Sequence, residues 1–309
     1  MDTLGQSNVS VSSVAILGPG AVGGFLAAVL WKHGLPTTCI TKPDSATLIS
    51  KGGILLESSC FSTFTAHPTV VAQLESEPEL LLITTKAPSL ADALRRIPSK
   101  RVTNTVIIPL LNGIEHTQII RENLGCHVAV GMISGEFMRP DPCHVVHSSP
   151  HVRIELASDS DIARSKLQMI AELLSGMDID TQVLEREGDV IWRKLVRLNA
   201  IAATTAASQS PVGLVRTDPW WRKKLESCIC EGVAVAEAEG VEISPEIVMN
   251  QIDALPAELS TSLQRDIAKG LPSELDAILD GILRLAEKHG IPCPTIHAML
   301  EMIQSQSKV

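Results

Sequence analysis

The sequence predicts an α/β domain built on a doubly wound parallel sheet, followed by an all-α domain. Short apolar runs alternate with helical stretches as far as about residue 185, which is typical of parallel strands joined by crossover helices. Helical periodicity dominates from residue 186 onward. A glycine-rich turn joins the first apolar run to the first helix. We therefore place the domains at 1–185 and 186–309 and expect a ligand-binding cleft between them.

The first strand, the glycine turn and the first helix follow one another without interruption. An apolar run at 13–17 precedes the turn, so backbone N–H groups and the positive end of a helix dipole meet at one point. Gly18 permits the tight turn, Gly20 lets a phosphate approach the backbone, and Gly23 lets the helix pack closely on the strand. We interpret this as a Rossmann-type dinucleotide site, with a purely structural glycine turn as the alternative. The expected cofactor-binding residues of the turn are Gly18, Pro19, Gly20, Ala21, Val22 and Gly23.

The end of the second strand indicates which dinucleotide binds. The apolar run at 37–41 is followed by Lys42, and no acidic residue occurs before Asp44. A carboxylate at this offset would bind a ribose 2′-hydroxyl, whereas a cation accepts a 2′-phosphate. Lys42 therefore predicts NADP(H), and a solvated surface lysine is the alternative.

Further patterns predict the remaining elements in order. The β-like runs lie at 79–85, 104–111, 127–133, 143–147 and 152–157, and an amphipathic helix is expected from Asp161 to Leu174. In the second domain, helical periodicity covers 189–207, 219–239, 245–254, 261–269, 273–289 and 295–304, interrupted by glycines and prolines.

Composition and charge exclude several classes of function. The 309-residue chain has a formal net charge of −9 and no basic cluster interleaved with aromatics, which argues against nucleic acid as a partner. The uncharged stretch 11–31 contains four glycines and a proline, so it fits the dinucleotide turn better than a membrane span. His144, His147 and His151 are interrupted by prolines, and we expect no metal site there.

The cysteines and the N-terminal residues suggest the compartment. Seven cysteines show no C-x-x-C spacing, which favours reduced thiols. Residues 1–6 are acidic and polar, unlike a secretory signal, and are expected to form a loose tail. We expect a cytoplasmic protein.

Two polar residues follow predicted strands of the parallel sheet. Lys86 comes after the run at 79–85, and Asn112 comes after the run at 104–111. Ligands of open α/β sheets bind outside the carboxyl ends of the strands. Both residues are therefore candidates for the site, although each could equally be an ordinary loop residue.

Two helices of the second domain each carry one charged residue on an apolar face. Lys194 shares a helical line with Leu198 and Ile201, and Glu274 aligns with Ile278. A charge above an apolar stripe is costly unless it is paired or faces a polar cleft. The two could supply a general acid and an orienting carboxylate for carbonyl reduction. A buried ion pair between helices is the alternative.

An ordered set of motifs resembles the ketopantoate reductase family (2-dehydropantoate 2-reductases). The motifs are G-P-G-A-V-G, T-T-K-A, L-L-N-G, I-W-R-K-L, and S-L-Q-R-D-I followed by S-E-L-D, and their order matches from about 13 to 304. The resemblance implies NADPH-dependent reduction of ketopantoate to pantoate, a step of pantothenate and coenzyme A synthesis. The expected partner is a small 2-oxo acid, and a homodimer is left open.

The resemblance also implies roles for individual residues. Lys194 corresponds to the lysine that protonates the ketone oxygen, and Glu274 to the carboxylate that binds the substrate hydroxyl and steadies that lysine. Ser262 corresponds to a ligand of the substrate carboxylate. Asn112 and Lys86 correspond to residues lining the nicotinamide and substrate. Lys42 corresponds to the contact with the 2′-phosphate.

One departure leaves the substrate open. Family members often have asparagines four and eight residues after the catalytic lysine, where this chain has Leu198 and Ala202. Asn199 is about 140° away from Lys194 around a helix and is not expected to replace them. Reduction of another 2-oxo acid, carbonyl or imine compound is therefore an alternative, as is a non-catalytic NADP(H) sensor.

Overall fold

The chain forms two compact units in a computed structural model that describes residues 11–125, 127–159, 162 and 164–306. The first unit comprises Met1–Thr85, Ala91–Leu110 and Ile120–Glu185, and the second comprises Lys86–Leu90, Leu111–Ile119 and Arg186–Val309. The division thus differs from a single boundary at 185, because two short earlier segments belong to the second unit. The expected N-terminal tail at 1–6, Cys126 and the expected helix start at Asp161 lie outside the described residues.

The strands and helices are numbered in chain order. The strands are β1 Val14–Leu17, β2 Thr37–Ile40, β3 Ile54–Ser58, β4 Phe64–Ala66, β5 Thr69–Val71, β6 Leu80–Ile83, β7 Val106–Pro109, β8 Val130–Ser134, β9 Phe137–Asp141, β10 His144–His147, β11 Arg153–Ala157 and β12 Asp180–Val183. The helices are α1 Ala21–Lys32, α2 Pro43–Gly52, α3 Leu90–Leu94, α4 His116–Leu124, α5 Arg164–Ser175, α6 Glu187–Ser208, α7 Val212–Thr217, α8 Pro219–Ala238, α9 Pro245–Asp253, α10 Ser262–Ala268, α11 Gly281–His289 and α12 Pro294–Gln306. A π-helical segment, Asp276–Asp280, precedes α11.

A five-stranded parallel sheet forms the centre of the first unit. Its strand order is β5-β2-β1-β6-β7, and the chain builds outward from β1 in one direction before crossing to the other side. The strands β1, β6 and β7 are buried along their whole length, as expected when helices cover both faces. The predicted Rossmann-type parallel sheet is confirmed. The order reverses at β1, so the ends of β1 and its neighbours are where ligands of such sheets bind.

Helix α1 is buried on all its faces from Gly23 to Leu30. It packs against β1 and β2 of the parallel sheet and also against β3, β4, β9 and β10 of a second, four-stranded sheet. Gly24 makes this possible, because a Cβ there would lie 2.7 Å from Val145 Cγ2 on β10. Each large apolar side chain of α1, such as Phe25 or Leu26, contributes about 1.5–3 kcal/mol by its burial. The uncharged stretch that includes α1 is therefore a core helix.

The second sheet was only partly predicted. Its order is β4-β3-β10-β9, and of its strands the sequence predicted β10 alone. β3 and β4 lack a long apolar run that could be recognised in the sequence. They are buried because β3 pairs with β10 and α1 packs against both strands. A third sheet, β12-β11-β8, completes the first unit.

Helices make up the second unit, and α6 contacts more of them than any neighbour does. It packs against α7, α8, α9, α10 and α12 and against the π-helical segment, so residues 199–207 are all buried. Side-chain caps fix where its neighbours begin: Asp218 caps α8 through the N–H groups of Trp220 and Trp221, and Thr261 caps α10. Helix α7 was not predicted, because it is only six residues long. In the part of the chain that the structure describes, no helix is long and apolar enough to cross a membrane.

Candidate functional site

The glycine turn has the geometry of a phosphate cradle. Gly18 has a φ of 86°, which an L-residue rarely adopts, and a Cβ at Gly23 would lie 2.3 Å from Thr84 Oγ1 and 2.5 Å from Gly18 O. At Gly20, by contrast, a Cβ would point into open space, with Gly18 O as the nearest atom at 3.8 Å. Thr84 Oγ1 donates a 2.8 Å hydrogen bond to Gly18 O and fixes the turn against β6. The turn is thus closed on its sheet side and open at Gly20.

The first turn of α1 supplies hydrogen-bond donors to this opening. Gly20 has no side chain to cap the helix, and the first turn carries no acidic residue. The first N–H groups of any α-helix lack intrahelical acceptors, and the dipole makes that end positive. A dinucleotide pyrophosphate fits a backbone of this shape and charge.

Lys42 lies where a second phosphate contact is expected. It is the exposed N-cap of α2, two residues after β2, and β2 pairs in parallel with β1 so that Ile40 is opposite Leu17. Gly18 N donates a 3.0 Å hydrogen bond to Ile40 O, which ties the glycine turn to this strand end. The glycine turn and Lys42 therefore follow adjacent strands at the same edge of the sheet.

Three predicted site residues are joined by hydrogen bonds in the second unit. Lys194 Nζ donates to Asn112 Oδ1 at 3.0 Å, and Asn112 Nδ2 donates to Glu274 Oε2 at 2.9 Å. The other oxygen of Glu274 accepts a 3.3 Å hydrogen bond from the N–H of Ala87. Glu274 is 8% exposed, while Lys194 and Asn112 are half-buried. We call Lys194, Asn112 and Glu274 the polar triad.

Neighbouring residues hold the Asn112 loop in place. Gly113 has a φ of 98°, and a Cβ there would lie 2.7 Å from Ala277 O in the π-helical segment. Glu115 forms a bidentate ion pair with Arg284 of α11, at 2.6 and 2.7 Å. The loop is therefore fixed directly after Asn112 by the segment that follows Glu274.

Lys86 has a partner that the sequence analysis did not predict. Its Nζ lies 2.6 Å from Asp266 Oδ2 on α10, and the two side chains are 50% and 15% exposed. A surface ion pair of this kind contributes little to stability, about 0–1 kcal/mol. It does hold Lys86 beside α10, one residue away from the N–H group that binds Glu274.

Ser262 is not hydrogen-bonded to the polar triad. It is the exposed first residue of α10. The preceding Thr261 is buried, and its Oγ1 contacts Thr205 Oγ1 of α6 at 3.0 Å and accepts from Gln264 N at 3.2 Å. The N-terminus of α10 is thereby fixed to the helix that carries Lys194.

His116 is a buried histidine that the sequence analysis did not select. It is 4% exposed, and neither ring nitrogen has a hydrogen-bond partner among the described residues. Burial, and then the positive charge of Lys194, lower the pKa of His116 from 6.5 to about 4. The imidazole near the polar triad is therefore neutral at physiological pH.

The positions of the missing family asparagines are apolar, and Asn199 does not compensate for them. Leu198 is half-buried and Ala202 is fully buried. Asn199 is fully buried, and its side-chain amide has no hydrogen-bond partner among the described residues, so it is not bonded to the triad. The described residues also contain no group of three histidine, cysteine, aspartate or glutamate side chains arranged to hold a metal ion.

Most of what the sequence analysis missed depends on tertiary contacts. The N–H of Ala87 binds Glu274, Asp266 pairs with Lys86, and His116 is close enough to Lys194 to feel its charge. These residues come from different segments, and none has a distinctive local pattern. Asp266 lies four residues after Ser262 in the motif S-L-Q-R-D-I, and its negative charge so close to a predicted substrate ligand could have marked it as a candidate. His116, three residues after the motif L-L-N-G, has no neighbouring pattern that would have marked it as a site residue.

Known protein families match both parts of the chain. Residues 14–160 match the family described as ketopantoate reductase PanE/ApbA, and residues 189–307 match its C-terminal family. A 2-dehydropantoate 2-reductase of Salmonella typhi is 29% identical over 307 residues, covering 94% of this chain and 94% of that protein.

Solved structures share the fold at lower identity. A D-mandelate dehydrogenase with NADH and anilino(oxo)acetate has a TM-score of 0.88 at 19% identity, covering 96% of this chain and 98% of that chain. A dimeric ketopantoate reductase from Staphylococcus aureus has a TM-score of 0.80 at 20% identity, covering 96% of this chain and 99% of that chain.

Proposed function

The chain belongs to the ketopantoate reductase family, and we propose that it reduces ketopantoate to pantoate with NADPH. The family reduces 2-oxo acids with this cofactor. The single observation that carries the proposal is the polar triad, in which an ammonium, an amide and a carboxylate meet through two hydrogen bonds. A cation held by an amide, which a carboxylate orients in turn, suits a carbonyl that must gain a proton.

Lys194 is the general acid of the proposed reaction. Its Nζ gives a proton to the ketone oxygen as that oxygen becomes an alkoxide, and its charge stabilises the developing negative charge. Asn112 Oδ1 holds one N–H of the ammonium and so directs the remaining protons. When bound, NADPH supplies the hydride that reduces the carbonyl carbon.

Glu274 and Asn112 orient the substrate in this proposal. Glu274 accepts hydrogen bonds from Asn112 and from the N–H of Ala87, which fixes its carboxylate and leaves lone pairs for a substrate hydroxyl. Ser262 would bind the substrate carboxylate from the first turn of α10. Fixing both ends of the substrate brings its carbonyl into attack geometry.

The cofactor-binding residues are proposed from the glycine turn and from residues following the strands. The backbone of Gly18, Pro19, Gly20, Ala21, Val22 and Gly23 would hold the pyrophosphate, Lys42 the 2′-phosphate, and Lys86 and Asn112 the nicotinamide side. Lys86 and Asn112 each follow a strand of the parallel sheet by three residues, after β6 and β7. We likewise propose that residues 1–185 bind the cofactor and that residues 186–309 bind the substrate and carry out catalysis.

A related 2-oxo acid is the second candidate substrate. The apolar Leu198 and Ala202 remove two polar contacts that often accompany the catalytic lysine in the family, and a less polar substrate suits such a pocket. Because a D-mandelate dehydrogenase shares the fold, an aryl 2-oxo acid belongs in the comparison.

A substrate panel tests the function. Purified protein is mixed with NADPH and, in turn, ketopantoate, its analogue without the hydroxyl group, and phenylglyoxylate, and the loss of nicotinamide absorbance is followed. The proposal expects the highest kcat/KM with ketopantoate. A preference for phenylglyoxylate would move the assignment to an aryl 2-oxo acid, and tight NADPH binding with no turnover would favour a sensor.

Assembly and location are also part of the proposal. A homodimer is supported by the dimeric neighbour of the same fold, and light scattering during gel filtration measures it. A cytoplasmic location stays a prediction; the described cysteines are free thiols, which agrees with a reducing compartment.

A further inference from the structure

A second cluster of reactive side chains lies in the first unit, apart from the polar triad. Cys60 Sγ is 3.7 Å from His147 Nδ1, and Ser58 Oγ is 2.8 Å from the same nitrogen. On the other side of the ring, His147 Nε2 is 2.8 Å from Ser149 Oγ. A thiol, an imidazole and an orienting hydroxyl in this order are the parts of a base-assisted nucleophile.

The surrounding hydrogen bonds assign the tautomer of His147. Ser149 Oγ accepts a 3.0 Å hydrogen bond from Glu136 N and donates its own proton to His151 O at 3.1 Å. The hydroxyl proton of Ser149 is then already used, so Nε2 of His147 must carry the hydrogen between them. Nδ1 is therefore the acceptor nitrogen, and Ser58 Oγ, which accepts a 3.1 Å hydrogen bond from Phe61 N, donates its own proton to it at 2.8 Å. Cys60 Sγ lies 3.7 Å from the same nitrogen and reaches its lone pair when Ser58 turns away.

The imidazole is fixed and neutral. It is 1% exposed and packs among the rings of Phe25, Phe61 and Phe137, with centroids at 5.0, 6.4 and 5.1 Å. Burial lowers the pKa of His147, and the charge of Glu136 opposes that shift to a smaller extent. A rigid, uncharged ring whose acceptor nitrogen is shared between Ser58 and Cys60 can take the proton of the thiol.

Cys60 is distinguished from the other cysteines by this ring. Cys39, Cys228 and Cys293 are buried, whereas Cys60 and Cys230 are exposed. Cys230 lies on α8 and forms no hydrogen bond to a histidine in the described part of the chain. The thiols of Cys60 and Cys230 are thus both exposed, but only Cys60 of these two lies beside a histidine that can act as a base.

We propose that Cys60 is a modification site for soft carbon electrophiles, with Nδ1 of His147 as the base that takes the thiol proton. With iodoacetamide, the S–C bond forms as the C–I bond breaks, iodide leaves with the bonding pair, and the thiol proton passes to Nδ1 and then to water. With a Michael acceptor, the S–C bond forms at the β-carbon as the C=C π bond breaks, its electron pair moves onto the carbonyl oxygen as an enolate, and the proton held by the imidazole ends on the α-carbon. Ser58 competes for the same lone pair and limits the rate.

Competitive alkylation of the whole protein tests the proposal. A low dose of iodoacetamide is applied from pH 5 to pH 8, and peptides containing Cys60 and Cys230 are quantified by mass spectrometry. We expect Cys60 to react roughly tenfold faster or more at pH 7. The ratio of the two rates should fall towards one at acidic pH, because protonated His147 cannot accept a proton. Using the ratio removes the pH effects that both thiols share.

A variant provides the second measurement. His147→Phe keeps an aromatic ring in the cluster and removes the base, so the advantage of Cys60 over Cys230 should disappear while buried Cys39 stays unlabelled. If Cys39 becomes labelled, the variant has lost its fold and the pH series of the unaltered protein decides. Equal rates for Cys60 and Cys230 at every pH, or an advantage that survives His147→Phe in a folded protein, would overturn the proposal.

Discussion

Lys194 is the residue on which the proposed chemistry depends. Replacing it with alanine removes the proton donor and the positive charge, so we expect kcat to fall by about 10²–10⁴-fold. The affinity for NADPH should change little, because the proposed phosphate contacts come from the glycine turn and Lys42. Steady-state kinetics and fluorescence titration of NADPH measure the two effects separately.

A matched control uses an exposed lysine of the same unit. Lys223 lies on α8 and is exposed, so Lys223→Ala should leave both kcat and the NADPH affinity unchanged. A Lys194→Ala enzyme that turns over as fast as the Lys223→Ala enzyme would remove Lys194 from the mechanism.

His116 makes stability depend on pH. Its pKa is about 4 in the folded chain and near 6.5 when unfolded, so between these values the unfolded state binds a proton that the folded state does not. The free energy of unfolding is therefore highest above pH 6.5 and decreases as the pH falls towards 4, by about 3 kcal/mol for this group. Urea unfolding at pH 7 and pH 4.5 measures the loss.

Replacing the ring separates this contribution from other acid effects. His116→Gln has no group that titrates in this range, so its stability should decrease less between pH 7 and pH 4.5 than that of the unaltered protein. His33→Gln changes an exposed histidine and serves as the control. Parallel losses in all three proteins would show that His116 is not responsible.

At the scale of elements, the Asn112 loop and the π-helical segment depend on one close approach. Gly113→Ala places a methyl group 2.7 Å from Ala277 O at a φ of 98°, so the loop must move and take Asn112 with it. We expect about 1–3 kcal/mol of lost stability together with a fall in kcat/KM. Thermal unfolding and kinetics are measured on the same preparation.

Gly270 offers the matched control for this substitution. It also has a positive φ, 62°, but nothing lies within 4 Å of the position of its Cβ. Gly270→Ala should therefore cost stability through backbone strain while leaving kcat/KM unchanged. If the two variants lose activity equally, the contact with Ala277 does not position the triad.

Four strands of the parallel sheet and the long helices were predictable because each has a strong local pattern, whereas the three-residue edge strand β5 was not predicted. β1, β6 and β7 are continuous apolar runs, and α6 shows helical periodicity over many turns. β3, β4 and α7 were not predicted, because they are short and are stabilised by their neighbours in space. Lys194 and Glu274 could be selected since a lone charge on an apolar face is a local signal. Their hydrogen bonds to Asn112 could not be predicted, because they join segments more than 80 residues apart.

At the scale of the whole molecule, cofactor binding should stabilise the folded chain. NADPH at one hundred times its Kd adds about 2.7 kcal/mol, which raises Tm by about 5 °C or more. Lys42→Glu replaces the proposed contact with the 2′-phosphate by a like charge, so NADPH should bind about tenfold more weakly while NADH binding is retained. Thermal shift measurements with each nucleotide give both values.

Lys51 tests whether the effect is local. It lies in the last turn of α2 and is exposed, so Lys51→Glu makes the same change of net charge on the helix that Lys42 caps. Equal weakening of NADPH binding by both variants would indicate a general effect of net charge on this −9 chain instead of a 2′-phosphate contact.

The amide of Asn112, which joins Lys194 to Glu274, also prevents proton transfer between them. Asn112 presents an oxygen to the ammonium and an NH₂ group to the carboxylate, and an amide in this orientation has no proton that it can pass along. In the proposed reaction, Glu274 therefore cannot return a proton to Lys194 through Asn112 after Lys194 has protonated the ketone. A replacement proton delivered from solvent would make turnover sensitive to deuterated water wherever that delivery is slow.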